Sequence, residues 1–362
     1  MVGKRVVTAT KKVALTKQRT LYNYCTPYIV AELGSNHNGD MQLAKELIVA
    51  AKESGADCVK FQSWTKESIF SKEKYKENCF LSDDYTNRTD TTLEDIVEKF
   101  SISQEELLEM KKFCDAIGID FTSTPFSKEE VDFLVDVLDA PFIKIASMDV
   151  NNYPFLEYIA KKNRPIVLST GLSELYEIDR AVKTIESAGN KDIVLLHCVS
   201  IYPPKDEEVH LHNIVTFQSM YEYPVGFSDH TLGYEIPLAS LSFGTCLIEK
   251  HFTLDKNLSG WDHKVSATPD EMKIIVSGSK KIQKALGSFR ISVSEDDKRR
   301  EEFRRSIVLR RAIRQGEIIG ADDIDYKRPG RGLLPEMTPC VIGRKAKKDL
   351  QQDHILYLED LE

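Results

Sequence analysis

Two textures alternate along this chain. Short, mostly apolar runs recur, and between them lie longer stretches whose apolar positions fall three and four residues apart. The short runs are YIVAEL (Tyr28 to Leu33), CVKFQ (Cys58 to Gln62), IDFTST (Ile119 to Thr124), FIKIAS (Phe142 to Ser147), PIVLST (Pro165 to Thr170), IVLLHC (Ile193 to Cys198), PVGFS (Pro224 to Ser228) and CLIEKHF (Cys246 to Phe252). Each predicts a strand. The stretches between them predict helices: in MQLAKELIVAAKESG, Leu43, Leu47 and Ala50 share a face and Gly55 ends the pattern. In SQEELLEMKKFCDAIG, Ser103 and Glu106 have the spacing of a capping box. Eight strands alternating with helices give an α/β chain whose leading architecture is a (β/α)8 TIM barrel over residues 28–287.

The texture changes after Gly287. SEDDKRREEFRR shows no strand or strong helix pattern, and residues 288–302 are expected to be a linker. From Ser306 onward short alternating runs are broken by Gly316, Gly320, Pro329, Gly330, Gly332 and Pro335, which predicts a small β-rich module over residues 303–362. A module of that size buries little apolar area alone and gains by docking. Residues 1–27 are basic at the start, with Lys4, Arg5, Lys11, Lys12, Lys17 and Arg19. Val6, Val13 and Leu15 are too sparse for a secretory core, so a solvated tail or short hairpin is favoured over a transit peptide.

Composition narrows the class. The 362 residues are 41% hydrophobic and 29% charged, as in a soluble globular protein, and suffice for one large domain and a small one. No apolar run approaches the roughly 20 residues of a membrane span. A net charge of −8 argues against a nucleic-acid surface, though lysines gathered in one cleft would still bind a small anion. Seven scattered cysteines without a CxxC pair suit a reduced, cytoplasmic enzyme.

The polar residues of the strands gather near their C-terminal ends, where a barrel carries its chemistry. Lys60 and Lys144 occupy interior positions at which an unpaired ammonium would be costly. They call for a phosphate or carboxylate ligand, helped by Ser147, Ser169 and Ser228, or for internal salt bridges to acids such as Glu32. His230 and His251 lie one βα unit apart, so their imidazoles are placed to share one mouth. Together they would suit a catalytic manganese, magnesium, zinc or cobalt ion; singly each is more often structural. Glu32 is a candidate base or a lysine's anchor. Asp262 and His263 lie in the loop after the last strand, either at the surface or against substrate. His197 and Cys198 are adjacent on a strand and point to opposite faces, which discounts them as a nucleophile pair.

AELGSNHNGD, DCVKFQ, FTSTPF, IKIAS, LSTG, GFSDHT and EKHF stand in the order they have in the sialic acid synthase family, the phosphoenolpyruvate-dependent nonulosonate synthases. RRSIV followed by KRPG resembles that family's C-terminal antifreeze-like (SAF) domain. The resemblance runs from about Tyr28 to the end. It implies a TIM barrel that condenses phosphoenolpyruvate with an N-acylated mannosamine-type sugar, N-acetylmannosamine first and a 2,4-diacetamido-trideoxyhexose second, giving a nonulosonic acid and phosphate. By position, His230 and His251 match the metal ligands, with Mn2+ expected and Mg2+ or Co2+ possible. Lys60, Lys144, Ser147, Ser169 and Ser228 match the phosphoenolpyruvate set, and Thr124 is grouped with the substrate-binding residues. Glu32, Gln62, Tyr202 and Asp262 match groups on the sugar. Arg328 matches an arginine that the SAF domain of one subunit lends to the other, which implies a domain-swapped homodimer.

Three positions depart from the family's pattern. Asp149, counted with the catalytic residues, stands where glutamate is common. Ser200 replaces an asparagine of bacterial sialic acid synthases, serine being found in relatives that act on diamino-trideoxy sugars, and Trp261 replaces the proline before Asp262. All three fall on the sugar side. Asp229 is a candidate to orient His230 from behind. The competing readings are a synthase acting on phosphorylated aldoses and a non-catalytic sugar- or surface-binding protein.

Overall fold

The computed structural model describes residues 11–78 and 91–362. The chain divides into two compact units, Met1–Gly287 and Ser288–Glu362. In the first, eight parallel strands run β1 (Tyr28–Gly34), β2 (Cys58–Gln62), β3 (Asp120–Thr124), β4 (Ile143–Ile145), β5 (Ile166–Ser169), β6 (Ile193–Cys198), β7 (Val225–Asp229) and β8 (Leu247–His251). Their order is β3-β2-β1-β8-β7-β6-β5-β4, with helices in the connections. β8 pairs with β1, so the sheet curls into a TIM-type barrel, and the seam lies between β3 and β4. There the Thr122 hydroxyl donates to the Phe142 carbonyl at 2.8 Å.

Strand alternation sorts the residues. Ile29, Ala31, Val59, Phe121, Ile143, Leu168 and Ile248 face the helices in the main core, whereas Val30, Cys58, Phe142, Val167, Val194, Leu196 and Leu247 fill the barrel's lower interior. Val13, Leu15 and Leu21 join that inner group, fully buried, from a hairpin that pairs Val13–Ala14 with Thr20–Leu21. Residues 11–27 therefore close the barrel's floor and are not a solvated tail; residues 1–10 lie outside the described part. The helix Met41–Glu53 ends at Ser54, with Gly55 at φ +89°. Its buried face is Ala44, Leu47, Ile48 and Ala51, rotated from the expected one. The Ser103–Glu106 capping box opens the helix Gln104–Ile117 as predicted.

The second unit pairs β9 (Ser306–Leu309) with β10 (Ile324–Lys327) antiparallel and adds isolated bridges such as Ile313 to Leu350. Its core includes Ile307, Leu309, Ile319, Val341 and Leu356. A helix, Asp297–Phe303, occupies the charged stretch expected to be irregular. Asp296 caps it, accepting the Arg299 N–H at 2.7 Å, and Asp297 pairs with Arg300 three residues on. Among the described residues no helix is long and apolar enough to cross a membrane, and the six described cysteines are free thiols.

Candidate active site

The C-terminal ends of the strands bring most of the expected residues together. Inward positions climb from the apolar floor through a layer holding Lys60, Lys144, Ser228 and Glu249 to one holding Gln62, Thr124, Cys198, His230 and His251, with Glu32 at the end of β1. Lys60 forms an ion pair with Glu32, donates to Thr124 Oγ1 at 2.9 Å and stands 3.9 Å from Glu249. Lys144 stands 3.3 Å from the same Glu249 oxygen, which accepts the Ser228 hydroxyl at 3.2 Å. Both lysines are thus paired to acids, the alternative the sequence left open. All four charges are almost wholly buried.

Glu249 escaped the sequence reading, although it sits two residues before His251 and so shares its face. Burial penalises its charge, but Lys144 and Lys60 outweigh that and hold its pKa low. Glu32 goes the other way, raised by burial against the pull of Lys60. Burial lowers Lys144 despite Glu249, whereas at Lys60 the two carboxylates overcome burial and raise it.

Among the residues expected to meet the sugar, Gln62 Nε2 donates to Glu32 Oε1 at 3.0 Å, and Trp64 Nε1 donates to Gln62 Oε1 at 3.1 Å. Asp262 lies 3.7 Å from His251 Nδ1; burial first, then the nearby Glu32 charge, pushes it up to about 6. Trp261 packs near Trp64 and Phe100 at 6.1 and 5.8 Å. Tyr202 lays its ring 4.1 Å from His230 and turns an edge to His251 at 5.9 Å. Asp149 stays in its own turn after β4, accepting from Asn152 at 3.1 Å. His263 is fully buried against Thr253 at 2.7 Å, a structural rather than a surface residue.

Ser147 accepts the Gly171 N–H at 3.0 Å and approaches Cys198 Sγ at 3.7 Å, while the Ser169 hydroxyl is buried without a hydrogen-bond partner. Cys198 is an inner wall residue; burial would raise its thiol, but His230 beside it brings it down to about 7. His197 faces outward, stacked 5.8 Å from Phe227.

The His230 and His251 ring centroids are 5.4 Å apart. His230 Nδ1 contacts the Val199 carbonyl at 2.8 Å, and the ring also hydrogen-bonds with the Cys198 thiol. His251 Nδ1 is buried without a hydrogen-bond partner, and burial together with the His230 and Lys60 charges keeps its ring well below the usual imidazole range. His230 goes the other way: burial would lower it, but the Cys198 thiol beside it outweighs burial and raises its pKa. The pair would fit a divalent cation once His230 has given up its proton. No group of three or more His, Cys, Asp or Glu side chains able to hold a metal occurs among the described residues, so substrate or water would complete the coordination. Asp229 does not stand behind His230: it faces the opposite side of β7 and pairs with Lys250 at 2.6 Å. Arg328 belongs to the second unit, its guanidinium 5.0 Å from the Phe303 ring.

A model of the NeuB family matches residues 47–290, and one of the SAF domain matches residues 304–362. The chain is 43% identical to an uncharacterized protein of Methanocaldococcus jannaschii over 92% of this chain and 94% of that one. It is 38% identical to the N,N'-diacetyllegionaminic acid synthase of Legionella pneumophila, over 93% and 95% of the respective chains. The crystal structure of the N-acetylneuraminic acid synthetase of Leptospira borgpetersenii superposes with a TM-score of 0.71 at 30% identity, covering 80% of this chain and 95% of that one.

Proposed function

The chain belongs to the NeuB family of condensing synthases, and on that premise we propose that it joins phosphoenolpyruvate and water to a 2,4-diacetamido-trideoxyhexose or N-acetylmannosamine, releasing phosphate and a nonulosonic acid. The observation that carries this reading is the shared inner face of β7 and β8, where Ser228 and His230 stand beside Glu249 and His251, with Lys60 and Lys144 in the same interior. The resemblance to the Legionella synthase and the serine at position 200 favour the diacetamido acceptor.

Lys60 and Lys144 receive the anionic donor, assisted by Ser147, Ser169 and Ser228. Because Glu32 and Glu249 already balance them, the donor enters by taking a lysine from a carboxylate. Glu32, its pKa raised by burial, is the one that yields its charge and then carries protons for sugar ring opening. Gln62, Tyr202 and Asp262 orient the acceptor, so that the donor's methylene carbon lies against the aldehyde. His230 and His251 hold a divalent cation, Mn2+ by preference. When bound, that cation supplies a Lewis acid for the aldehyde oxygen. Water adds at the carbon bearing phosphate, and phosphate leaves by carbon–oxygen cleavage.

We place the reaction in the cytoplasm and in a homodimer whose SAF units are exchanged, Arg328 completing the partner's site. Ile291 and Val293, wholly or largely exposed within the single chain, support a second copy as their cover. The test is phosphate release from phosphoenolpyruvate with a panel of acetamido sugars, before and after chelation. Turnover should fall to background with chelator and return with Mn2+; no release with any acceptor overturns the function, and release unaffected by chelator overturns the metal.

A further inference from the structure

Asp229 and Lys250 are each one residue ahead of an inward histidine, directly opposite one another in the β7–β8 register. Their side chains are 0% and 1% exposed, on the outer face of the barrel wall. Lys250 Nζ donates to Asp229 Oδ2 at 2.6 Å and to the Thr231 carbonyl at 2.7 Å; Asp229 Oδ1 accepts the Thr231 N–H at 3.0 Å. The residues before and after His230 are therefore tied to the residue before His251.

A buried ion pair is a poor source of net stability, because desolvating two charges cancels most of their attraction and apolar residues of similar volume do as well. Its distinctive contribution is geometry, a register held to one hydrogen-bonded solution. Such geometry matters most at His251. His230 has a second restraint from the Val199 carbonyl, whereas His251 Nδ1 meets no hydrogen-bond partner among the described residues and has only Asp262 at 3.7 Å and the Tyr202 ring edge beside it, so the aim of its ring depends chiefly on where its backbone is held.

We propose that the Asp229–Lys250 pair is a positioning device that sets the separation and aim of His230 and His251, and through them the affinity for a divalent metal. The proposal rests on the reading of these two imidazoles as metal ligands. Neither side chain points into the barrel interior, so the pair acts through the histidines, by holding their backbone and by charges of opposite sign that bear on the two rings.

The test is Mn2+ titration of the full chain, followed by the electron paramagnetic resonance of the free ion, which needs no turnover. The double variant Asp229→Asn/Lys250→Met removes both charges at similar volume and leaves neither one unpaired. Its Mn2+ affinity should fall by about tenfold or more, as for other residues that orient metal ligands, and a loss smaller than about threefold overturns the proposal. Tyr28→Phe is the control for general destabilisation, since it removes a 2.6 Å bond to Asp120 at the barrel floor. An equal loss of affinity in Tyr28→Phe also overturns the proposal. If the double variant does not fold, Asp229→Glu, which keeps the pair but lengthens it by a methylene, is judged by the same thresholds. A wild-type chain that binds no Mn2+ overturns the metal reading and this inference with it, whereas wild-type binding with an unchanged double variant overturns the inference alone.

Discussion

At Gly34 the backbone turns with φ +48°, and a β-carbon there would stand 3.0 Å from Glu32 Oε1, 3.4 Å from Gln62 Nε2 and 3.5 Å from Asp262 Oδ2. Gly34→Ala would crowd the Glu32 carboxylate, bring Gln62 and Asp262 into contact and strain the positive φ. Turnover should drop by about tenfold to a hundredfold, and the KM for phosphoenolpyruvate should move with it, because Glu32 is the carboxylate that releases Lys60 to the donor; steady-state kinetics would show both. His37 offers a separate, acid-side prediction. Its Nδ1 accepts the Gly39 N–H at 3.1 Å, and burial lowers its pKa from 6.5 to about 4. Between those values the unfolded chain takes up a proton that the native ring refuses. Stability should therefore fall as pH drops through that window, by up to about 3 kcal/mol. His37→Gln should flatten the decline, read as urea midpoints at pH 7 and pH 4.5. The case of Asp229 shows where residue-level reading from sequence stops. Adjacency suggested that it serves His230, but alternation along a strand turns neighbours apart, and its real partner, Lys250, is distant in sequence and close only through register. The same alternation would have disclosed Glu249.

Among the elements, the barrel strands were legible because their apolar runs are short, bounded and regularly spaced; β4 alone is cut to Ile143–Ile145, since Ser147–Asp149 coils into a 3-10 turn. The N-terminal hairpin was one of two expectations for residues 1–27, but its place in the barrel floor was not legible, as Val13, Leu15 and Leu21 form no periodic pattern and acquire meaning only against the barrel interior. Nor was the helix Asp297–Phe303, whose cap lies inside a run of charges. Leu15, fully buried in the floor, should be worth about 2–5 kcal/mol on truncation to alanine, measurable as a lowered denaturation midpoint of the first unit with Mn2+ binding retained. At the seam, Thr122→Val removes the hydroxyl that bonds the Phe142 carbonyl and leaves that oxygen unsatisfied. The expected cost is about 1–3 kcal/mol, with faster amide exchange along β3 and β4 by mass spectrometry.

At the scale of the whole molecule, the proposed exchange of SAF units makes a prediction that no single variant can. Arg328→Ala spoils the residue lent to the partner, and His230→Ala spoils the barrel that receives it. Each protein alone should be nearly inactive. After unfolding and refolding together, half of the dimers would be mixed and each would hold one intact site, returning about a quarter of wild-type activity. Separate, unexchanged subunits would return none.

The stoppered floor has a further consequence, for kinetics. With Val13, Leu15 and Leu21 filling the lower end, the described residues leave the strand ends as the doorway for the proposed reactants and products. The lysine layer lies beneath the imidazole layer, so whatever binds the imidazoles stands between the lysines and the exit. Such a queue would impose sequence: on the proposed reaction the donor should board first, an acceptor arriving early should form a dead-end complex, and excess acceptor should inhibit in a manner that more phosphoenolpyruvate relieves.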